Sequence, residues 1–172
     1  LPTQRRRQRQ MCIRDSYETE PEPFMNNRKM FCPRGKMLGG SSSHNGMVHV
    51  RGNAMDFENW AQLGLPSWKY SNVLPYFKKS ESVSGLDNKF RNESGPLKLS
   101  RSSNGSELSK VYLNAAEQAG YEINNDMNGF KQEGFGLMDT TIFEGKRQST
   151  SVTYLNPAKK RGNLTTVSYT HL

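Results

Sequence analysis

A short glycine- and serine-rich segment, Gly39-Gly40-Ser41-Ser42-Ser43, contains the residue types best suited to binding a ligand. Adjacent glycines let a backbone approach a flat or charged ligand closely, and exposed N–H groups in such a loop bind phosphate or carbonyl oxygens. His44-Asn45-Gly46 and the basic stretch Val50-Arg51-Gly52-Asn53 follow in the same part of the sequence. On composition alone, a flexible surface loop is the favoured interpretation. The order of the neighbouring residues must therefore distinguish a ligand-binding segment from a flexible loop.

The net charge of +8, from 24 Lys and Arg against 16 Asp and Glu, suggests a protein that binds nucleic acid. Five arginines and one aspartate give residues 1–16 a charge of +4, so the rest of the chain also carries +4. A nucleic-acid-binding module needs basic and aromatic residues on one face, whereas the main arginine cluster lies at one end of the chain. Such a module and a noncatalytic interaction domain are the alternatives to an enzyme, and no nucleic-acid partner is predicted.

Membrane, disulfide and metal signals are weak in this sequence. It has no apolar run of about 18 residues, and its Arg-rich start lacks the apolar stretch of a secretory signal, so no transmembrane segment is predicted. Cys12 and Cys32 form neither a CxxC pair nor part of a Cys/His cluster. Neither a disulfide framework nor a metal site is therefore predicted.

The two ends of the chain differ in character from its middle. Residues 1–16 show no hydrophobic period and no turn signal, and they resemble translated sequencing-adaptor read-through, as residues 168–172 do at the other end. We predict that residues 1–16 are disordered and that the genuine protein sequence spans residues 17–167. The alternative is a natural basic arm that binds an acidic partner.

Helices are predicted at four places from their caps and apolar spacing. They run from an Asp56 cap to Gly64, from Ser71 to Phe77, from a Ser106 cap to Gly120, and from Ser149 or Ser151 to Gly162. Pro75 is tolerable only in the first turn of the second helix. In the third helix one face is predicted to be buried, since its apolar residues recur at helical spacing. Those residues are Leu108, Val111, Tyr112, Ala115 and Ala119.

Strands and loops are predicted between these helices. Glu18 to Asn27, with its two prolines, predicts an extended loop, and residues 82–105 predict a surface loop with one strand at Pro96–Leu99. Further strands are predicted from Phe135 to Phe143, before a turn at Glu144-Gly145, and at Leu164–Val167. The mixture of short helices and strands indicates an α/β or α+β fold.

The order of residues 33–53, PRGKMLGGSSSHNGMVHVRGN, resembles the first signature of the glucose-methanol-choline (GMC) oxidoreductase family. The similarity continues through residues 56–61, 73–81, 128–136 and 147–150, and it is strongest to the choline dehydrogenase-like branch. It covers residues 17–167. The chain is thereby identified as an internal fragment from the N-terminal half of such a protein.

This resemblance implies a two-domain flavoprotein, of which the chain would hold an incomplete Rossmann-like FAD domain and part of the substrate domain. It implies hydride transfer from a primary alcohol such as choline to flavin N5, giving an aldehyde, while a base removes the hydroxyl proton. By the same resemblance a group of residues lines the FAD, largely through backbone atoms. They are Met37, Gly39, Gly40, Ser41, Ser42, Asn45, Gly46, Met47 and Val48.

Two histidines depart from the family signature, which usually has an aliphatic residue at position 44 and an aromatic one at position 49. In the choline oxidase-like branch a histidine at the first position is joined covalently to the flavin, so we hypothesise that His44 is a covalent attachment site. The alternative is a noncovalent histidine that packs beside the flavin or points elsewhere. His49 is interpreted as a structural substitute for an aromatic side chain.

The resemblance also predicts what lies outside the chain. No Gly-x-Gly-x-x-Gly fingerprint is present, and the family's catalytic histidine falls beyond residue 172, so no catalytic residue is assigned here. The chain alone is predicted to be inactive and to bind FAD poorly. The expected partner is a small-molecule alcohol, and the expected location is the cytoplasm or the surface of a membrane.

Overall fold

A computed structural model of the chain describes residues 16–101 and 106–168. The two predicted foreign segments lie almost wholly outside these ranges, at residues 1–15 and 169–172. The strands are β1 (Ser16–Glu18), β2 (Phe31–Pro33), β3 (Val48–His49), β4 (Glu81–Ser82), β5 (Leu97–Lys98), β6 (Ser100–Arg101), β7 (Asp139–Thr140), β8 (Ile142–Phe143) and β9 (Lys146–Arg147). The α-helices are α1 (Ala54–Gln62), α2 (Tyr70–Ser80), α3 (Glu107–Gln118) and α4 (Asn156–Lys159). Helices and short strands alternate, as predicted.

The chain divides into two compact units. Unit 1 contains the described residues 16–46 and 149–168, and unit 2 contains the described residues between 47 and 148. In unit 1, β1 and β2 pair antiparallel with Tyr17 opposite Cys32. A 3₁₀-helix at Pro23–Met25 lies between these strands, capped by the Glu22 side chain. The predicted extended loop at Glu18–Asn27 is therefore wrong at Pro23–Met25, because proline fits the first position of a helical turn.

The C-terminal part of unit 1 is helical, as predicted. A π-helix at Ser151–Leu155 leads into α4, and the Ser149 hydroxyl accepts a hydrogen bond from the Val152 N–H at 3.4 Å. Gly162 follows the helix with a left-handed φ of 54°. The strand predicted at Leu164–Val167 is wrong: these residues form no strand with any of the residues that the structure describes. A β-strand needs a neighbour for its backbone groups.

Unit 2 is built on a three-stranded antiparallel sheet with β7 between β3 and β6. His49 lies opposite Asp139, and Arg101 lies opposite the same aspartate on the other side. β4 and β5 form a separate parallel pair. The strand predicted at Phe135–Phe143 is replaced by β7 and β8, and the predicted turn at Glu144-Gly145 is confirmed, since both residues have positive φ and connect β8 to β9.

Helices α1 and α2 confirm two predicted helices but correct their starts. The cap of α1 is Asn53, whose side chain accepts a hydrogen bond from the Met55 N–H at 2.8 Å, while Asp56 lies inside the first turn. Helix α2 begins at Tyr70, so Pro75 lies beyond the first turn. Proline there removes one helical hydrogen bond, a local cost that the packing of the helix outweighs. The Phe57 ring packs edge-on against Phe77, with 5.7 Å between ring centroids.

Helix α3 confirms the Ser106 cap but not the predicted buried face. The Ser106 hydroxyl accepts a hydrogen bond from the Ser109 N–H at 3.2 Å. Ala116 is buried, yet Leu108 is 76% exposed and Val111 and Tyr112 are each 62% exposed. Helical spacing identifies an apolar face but not the surface that covers it, and the described residues leave most of this face open.

The interior of unit 2 contains few apolar residues and several polar or charged ones. Phe57, Val83, Leu99 and Ala116 are its buried hydrophobic residues among those described. The polar and charged residues buried with them are Arg51, Glu81, Arg91, Asn128 and Asp139. The prediction of a surface loop at residues 82–105 is therefore wrong for its central part. Arg91 is buried there, because its ion pairs offset the free-energy cost of removing its charge from water.

Candidate functional site

The glycine–serine segment, residues 35–46, lies in unit 1 as a tight turn followed by a 3₁₀-helix at Gly40–Ser43. Gly39 has φ of 90°, and a Cβ atom there would lie 2.5 Å from Ser43 Oγ. Gly40 also has a positive φ, of 53°. A left-handed backbone and a close neighbour together require glycine at position 39.

Hydroxyl groups hold the shape of this segment. Ser41 Oγ accepts a hydrogen bond from the Gly35 N–H at 3.1 Å, and Ser43 Oγ donates to the Leu38 carbonyl at 2.9 Å. Thr150 adds a tie from the other end of unit 1: its N–H donates to Ser42 Oγ at 3.0 Å and its Oγ1 donates to the Gly39 carbonyl at 3.2 Å. The serine and threonine hydroxyls therefore hold the turn in shape through hydrogen bonds to its own backbone.

The His44 side chain is packed into unit 1 beside Gly35. A Cβ atom at position 35 would lie 2.8 Å from His44 Cδ2 and 2.5 Å from the Gly40 carbonyl oxygen, so glycine makes room for the imidazole. His44 Nε2 is inaccessible to solvent and has no hydrogen-bond partner within residues 16–101 and 106–168. A buried polar nitrogen of this kind calls for a partner from outside the described residues.

Met47 and Val48, the last of the sequence-predicted ligand contacts, belong to unit 2. Met47 has a left-handed φ of 64°, and its carbonyl accepts a hydrogen bond from the Thr141 N–H at 2.7 Å. Val48 pairs with Thr140 in the sheet and is 53% exposed. The predicted contacts Met37 to Gly46 lie in unit 1, so the set is divided between the two units.

Five charged residues meet inside unit 2 and are called the ion cluster: Arg51, Glu81, Arg91, Asp126 and Asp139. Glu81 Oε1 lies 2.7 Å from Arg51 Nη2 and 2.8 Å from Arg91 Nε. Arg91 Nη2 lies 2.7 Å from Asp139 Oδ2, and Arg91 Nη1 contacts Asp126 Oδ1. Arg91 is only 1% exposed and Glu81 is fully buried. One guanidinium thus binds three carboxylates, of which Glu81 and Asp139 are buried.

Two further groups surround the ion cluster. Arg101 Nε lies 3.4 Å from Asp139 Oδ1, and His49 Nε2 lies 3.4 Å from Glu81 Oε2. With Arg101 included, three arginines face three carboxylates, so the charges balance as burial requires. The structural role proposed for His49 is accompanied by a polar contact with Glu81 that a phenyl ring could not make.

The ion cluster keeps the Glu81 carboxylate ionised. Burial raises its pKa, but the hydrogen bonds from His49 and Arg91 and the positive charges of Arg51 and Arg91 outweigh burial and lower the pKa from 4.5 to about 2. Burial lowers the pKa of Arg91, and the bonds to Glu81 and Asp139 more than reverse that effect and raise it. A carboxylate that is fully paired and this acidic is a poor general base, so the cluster is suited to holding structure rather than to proton transfer.

The sequence gives little indication of the ion cluster. Arg51 attracts attention only as a basic residue near the glycine–serine segment, and Thr150 only as part of a family motif. Glu81, Arg91 and Asp139 come from β4, a loop and β7, at separations that follow no period. Glu81 lies in the family-like stretch 73–81, but no local pattern there indicates that its carboxylate is buried.

No helix within the described residues is long and apolar enough to cross a bilayer.

Comparison with known proteins gives one family. A sequence model described as GMC oxidoreductase matches residues 11–171. An oxygen-dependent choline dehydrogenase from Rhizobium etli (strain CIAT 652) is 51% identical over 148 residues, which are 86% of this chain and 27% of that protein. The chain therefore spans little more than a quarter of the length of the curated relatives it matches.

Two solved structures share the fold. Pyridoxine 4-oxidase from Mesorbium loti has a TM-score of 0.79 at 25% identity, with 90% of this chain and 31% of that chain covered. An FAD-dependent oxidoreductase from Chaetomium thermophilum has a TM-score of 0.73 at 25% identity, with 86% and 28% covered.

Proposed function

Because this chain belongs to the GMC oxidoreductase family, we propose that it forms part of the FAD-binding region of an enzyme that oxidises a primary alcohol. The family resemblance and the mixed α/β fold predicted from the sequence are confirmed. The 51% identity to a choline dehydrogenase is the observation that carries the proposal. The substrate proposed is choline or a choline-like alcohol, which gives up a hydride to flavin N5 and becomes an aldehyde.

The substrate proposal is tested on the complete protein that contains this sequence. We expect bleaching of the flavin absorbance when choline is added without oxygen, because the hydride reduces the flavin. The matched control is the neutral isostere of choline in which carbon replaces the quaternary nitrogen. Equal rates with both compounds would contradict recognition of a quaternary ammonium, and no bleaching with any primary alcohol would contradict alcohol oxidation.

The FAD contacts proposed are Gly39, Gly40, Met47 and Val48 through their backbones, with the other predicted residues of the glycine–serine segment around them. The positive φ values of Gly39 and Gly40 support this, because a glycine backbone in that conformation lets a flat ligand approach closely. An FAD-free protein with Gly39→Ala is expected to rebind FAD more weakly than one with Gly64→Ala, since both glycines have a left-handed φ but only Gly39 is a proposed FAD contact with a close neighbour. Equal affinities would contradict this assignment.

The buried Nε2 of His44 is proposed to face the flavin. Acid denaturation of the complete protein separates the two kinds of contact: a covalently joined flavin precipitates with the polypeptide, and a noncovalent one stays in the supernatant. His44→Asn is the matched variant. Flavin binding and absorbance unchanged by this substitution would contradict any contact between His44 and the flavin.

The isolated chain is proposed to be catalytically inactive, because the family resemblance places the catalytic histidine beyond residue 172. Purified residues 1–172 with added FAD are expected to oxidise no choline. Measurable turnover by this polypeptide would contradict the proposal.

A further inference from the structure

Beyond His49, the backbone that follows β3 pairs with no strand among the described residues. The last strand-paired residue of β3 is His49, opposite Asp139 at the start of β7. Two residues later, the Arg51 N–H donates to Asn128 Oδ1 at 2.8 Å, and Asn128 Nδ2 donates to the His49 carbonyl at 3.1 Å. A primary amide offers a donor and an acceptor, as a peptide group does. The Asn128 side chain therefore extends the hydrogen bonding of β3 past the first residue of β7.

The orientation of the Asn128 amide is fixed by its partners. The Arg51 N–H can only donate and the His49 carbonyl can only accept, so Oδ1 and Nδ2 cannot be exchanged. Nδ2 also donates to Asp139 Oδ2 at 3.2 Å, the same oxygen that Arg91 Nη2 contacts at 2.7 Å. Asn128 is 4% exposed. The ion cluster therefore holds the amide, and the amide holds the end of β3.

The start of β3 needs such support. Met47 is not a glycine, yet it has a φ of 64°, in a region that non-glycine residues rarely adopt. A strained backbone of this kind persists only where its surroundings over-determine it, and it is concentrated at functional sites. Here the Thr141 N–H holds the Met47 carbonyl at 2.7 Å, and Asn128 fixes the strand that follows.

We infer that Asn128 is a positioning residue for the flavin, acting through β3 on the backbone of Met47 and Val48. The inference rests on the proposed function, in which these two residues contact FAD. Asn128 touches no ligand itself. It prepares the strand before FAD arrives, so the complete protein binds FAD without first having to order this backbone.

The test compares two asparagines of unit 2 in the complete protein, stripped of FAD and titrated with it. The Asn124 side chain also makes three hydrogen bonds, to the Lys131 and Glu133 carbonyls and from the Asp126 N–H, but none to β3. Asn128→Ala is expected to weaken FAD binding about tenfold, and Asn124→Ala to change it by less than about twofold. Both variants should lower the melting temperature, which reports the structural role alone.

Equal FAD affinities for the two variants would overturn the inference and leave the proposed function intact. Failure of the unaltered protein to bind FAD would overturn the proposed function, and the inference with it. If Asn128→Ala does not fold, the inference is tested by hydrogen exchange of the Arg51 amide in the unaltered protein. A protected Arg51 amide in the FAD-free protein supports a preformed strand, and exchange at the rate of a free amide overturns it.

Discussion

The glycine–serine segment of unit 1 and the ion cluster of unit 2 are both polar, but they are stabilised in different ways. In the segment, neutral hydroxyls bond to backbone groups, so the removal of one hydroxyl leaves no charge unpaired. In the ion cluster, Glu81 and Arg91 are buried with their partners, so the removal of one charge leaves others unpaired. We therefore expect small effects of substitution in the segment and large, coupled effects in the cluster.

The largest expected effect is that of Glu81→Gln. This change leaves Arg51 and Arg91 buried without their shared carboxylate, and breaking a buried ion pair costs about 3 to 5 kcal/mol. Chemical denaturation measures the free energy of unfolding. The matched control is Glu107→Gln, which removes an exposed ion pair with Lys110 and should change stability very little. Equal losses in the two variants would contradict the coupling of the cluster.

The second effect is a dependence of stability on pH that belongs to Glu81. Folding lowers its pKa from 4.5 to about 2, so its contribution is complete above the unfolded pKa and is lost as the pH falls through the folded one. The free energy of unfolding should therefore drop by about 3 kcal/mol from this residue between roughly pH 5 and pH 2. Urea denaturation across this range should show a flatter profile for Glu81→Gln. An unchanged profile in the variant would assign the acid sensitivity to other carboxyl groups.

The third effect is local to the glycine–serine segment. Position 39 has a left-handed φ of 90°, and the Cβ atom of an alanine there would lie 2.5 Å from Ser43 Oγ. We therefore expect Gly39→Ala to lower the free energy of unfolding by about 1 to 3 kcal/mol, measured by thermal or chemical denaturation. Gly46→Ala is the control, because nothing lies within 4 Å of a Cβ atom there and its φ is not positive. A loss of similar size at position 46 would contradict the assignment of the cost to the left-handed φ and the nearby Ser43 hydroxyl.

The smallest effect is expected for Thr150→Val. This change keeps the shape of the side chain but removes the hydroxyl that donates to the Gly39 carbonyl, so it should cost about 1 kcal/mol. Thr150→Ser keeps the hydroxyl and should restore most of the loss. Unfolding experiments on the two variants measure the difference. Equal stability would show that the hydroxyl contributes nothing to the segment.

Local signals in the sequence predict the elements and the segment well. The Ser106 cap, the Glu144-Gly145 turn and the helix after Ser149 depend on residues next to each other, and all three are present. The family signature at residues 33–53 is equally local, and it led to the family. Each of these features requires only the conformational preferences of neighbouring residues.

Long-range features could not be predicted in this way. Arg91 looks like one more charged residue in a polar loop, and only the approach of Glu81, Asp126 and Asp139 makes its burial favourable. Asn128 likewise gains its role from the backbone of His49 and Arg51. On α3 the apolar spacing predicts a buried face, but the spacing does not specify the surface that would cover it. In all three examples, burial or exposure depends on contacts between residues that are distant in the sequence.

The separations within the ion cluster have a consequence for the order in which unit 2 folds. Arg91 is 10 residues from Glu81, but 35 from Asp126 and 48 from Asp139. The entropy lost on closing a loop grows with its length, so the contact between Glu81 and Arg91 is the easiest of the three to make. The Gly95 N–H also bonds to the Glu81 carbonyl, and the Val83 N–H to the Asn92 carbonyl, each at 2.8 Å. We expect the stretch from β4 to β5 to form first and to recruit the distant carboxylates afterwards.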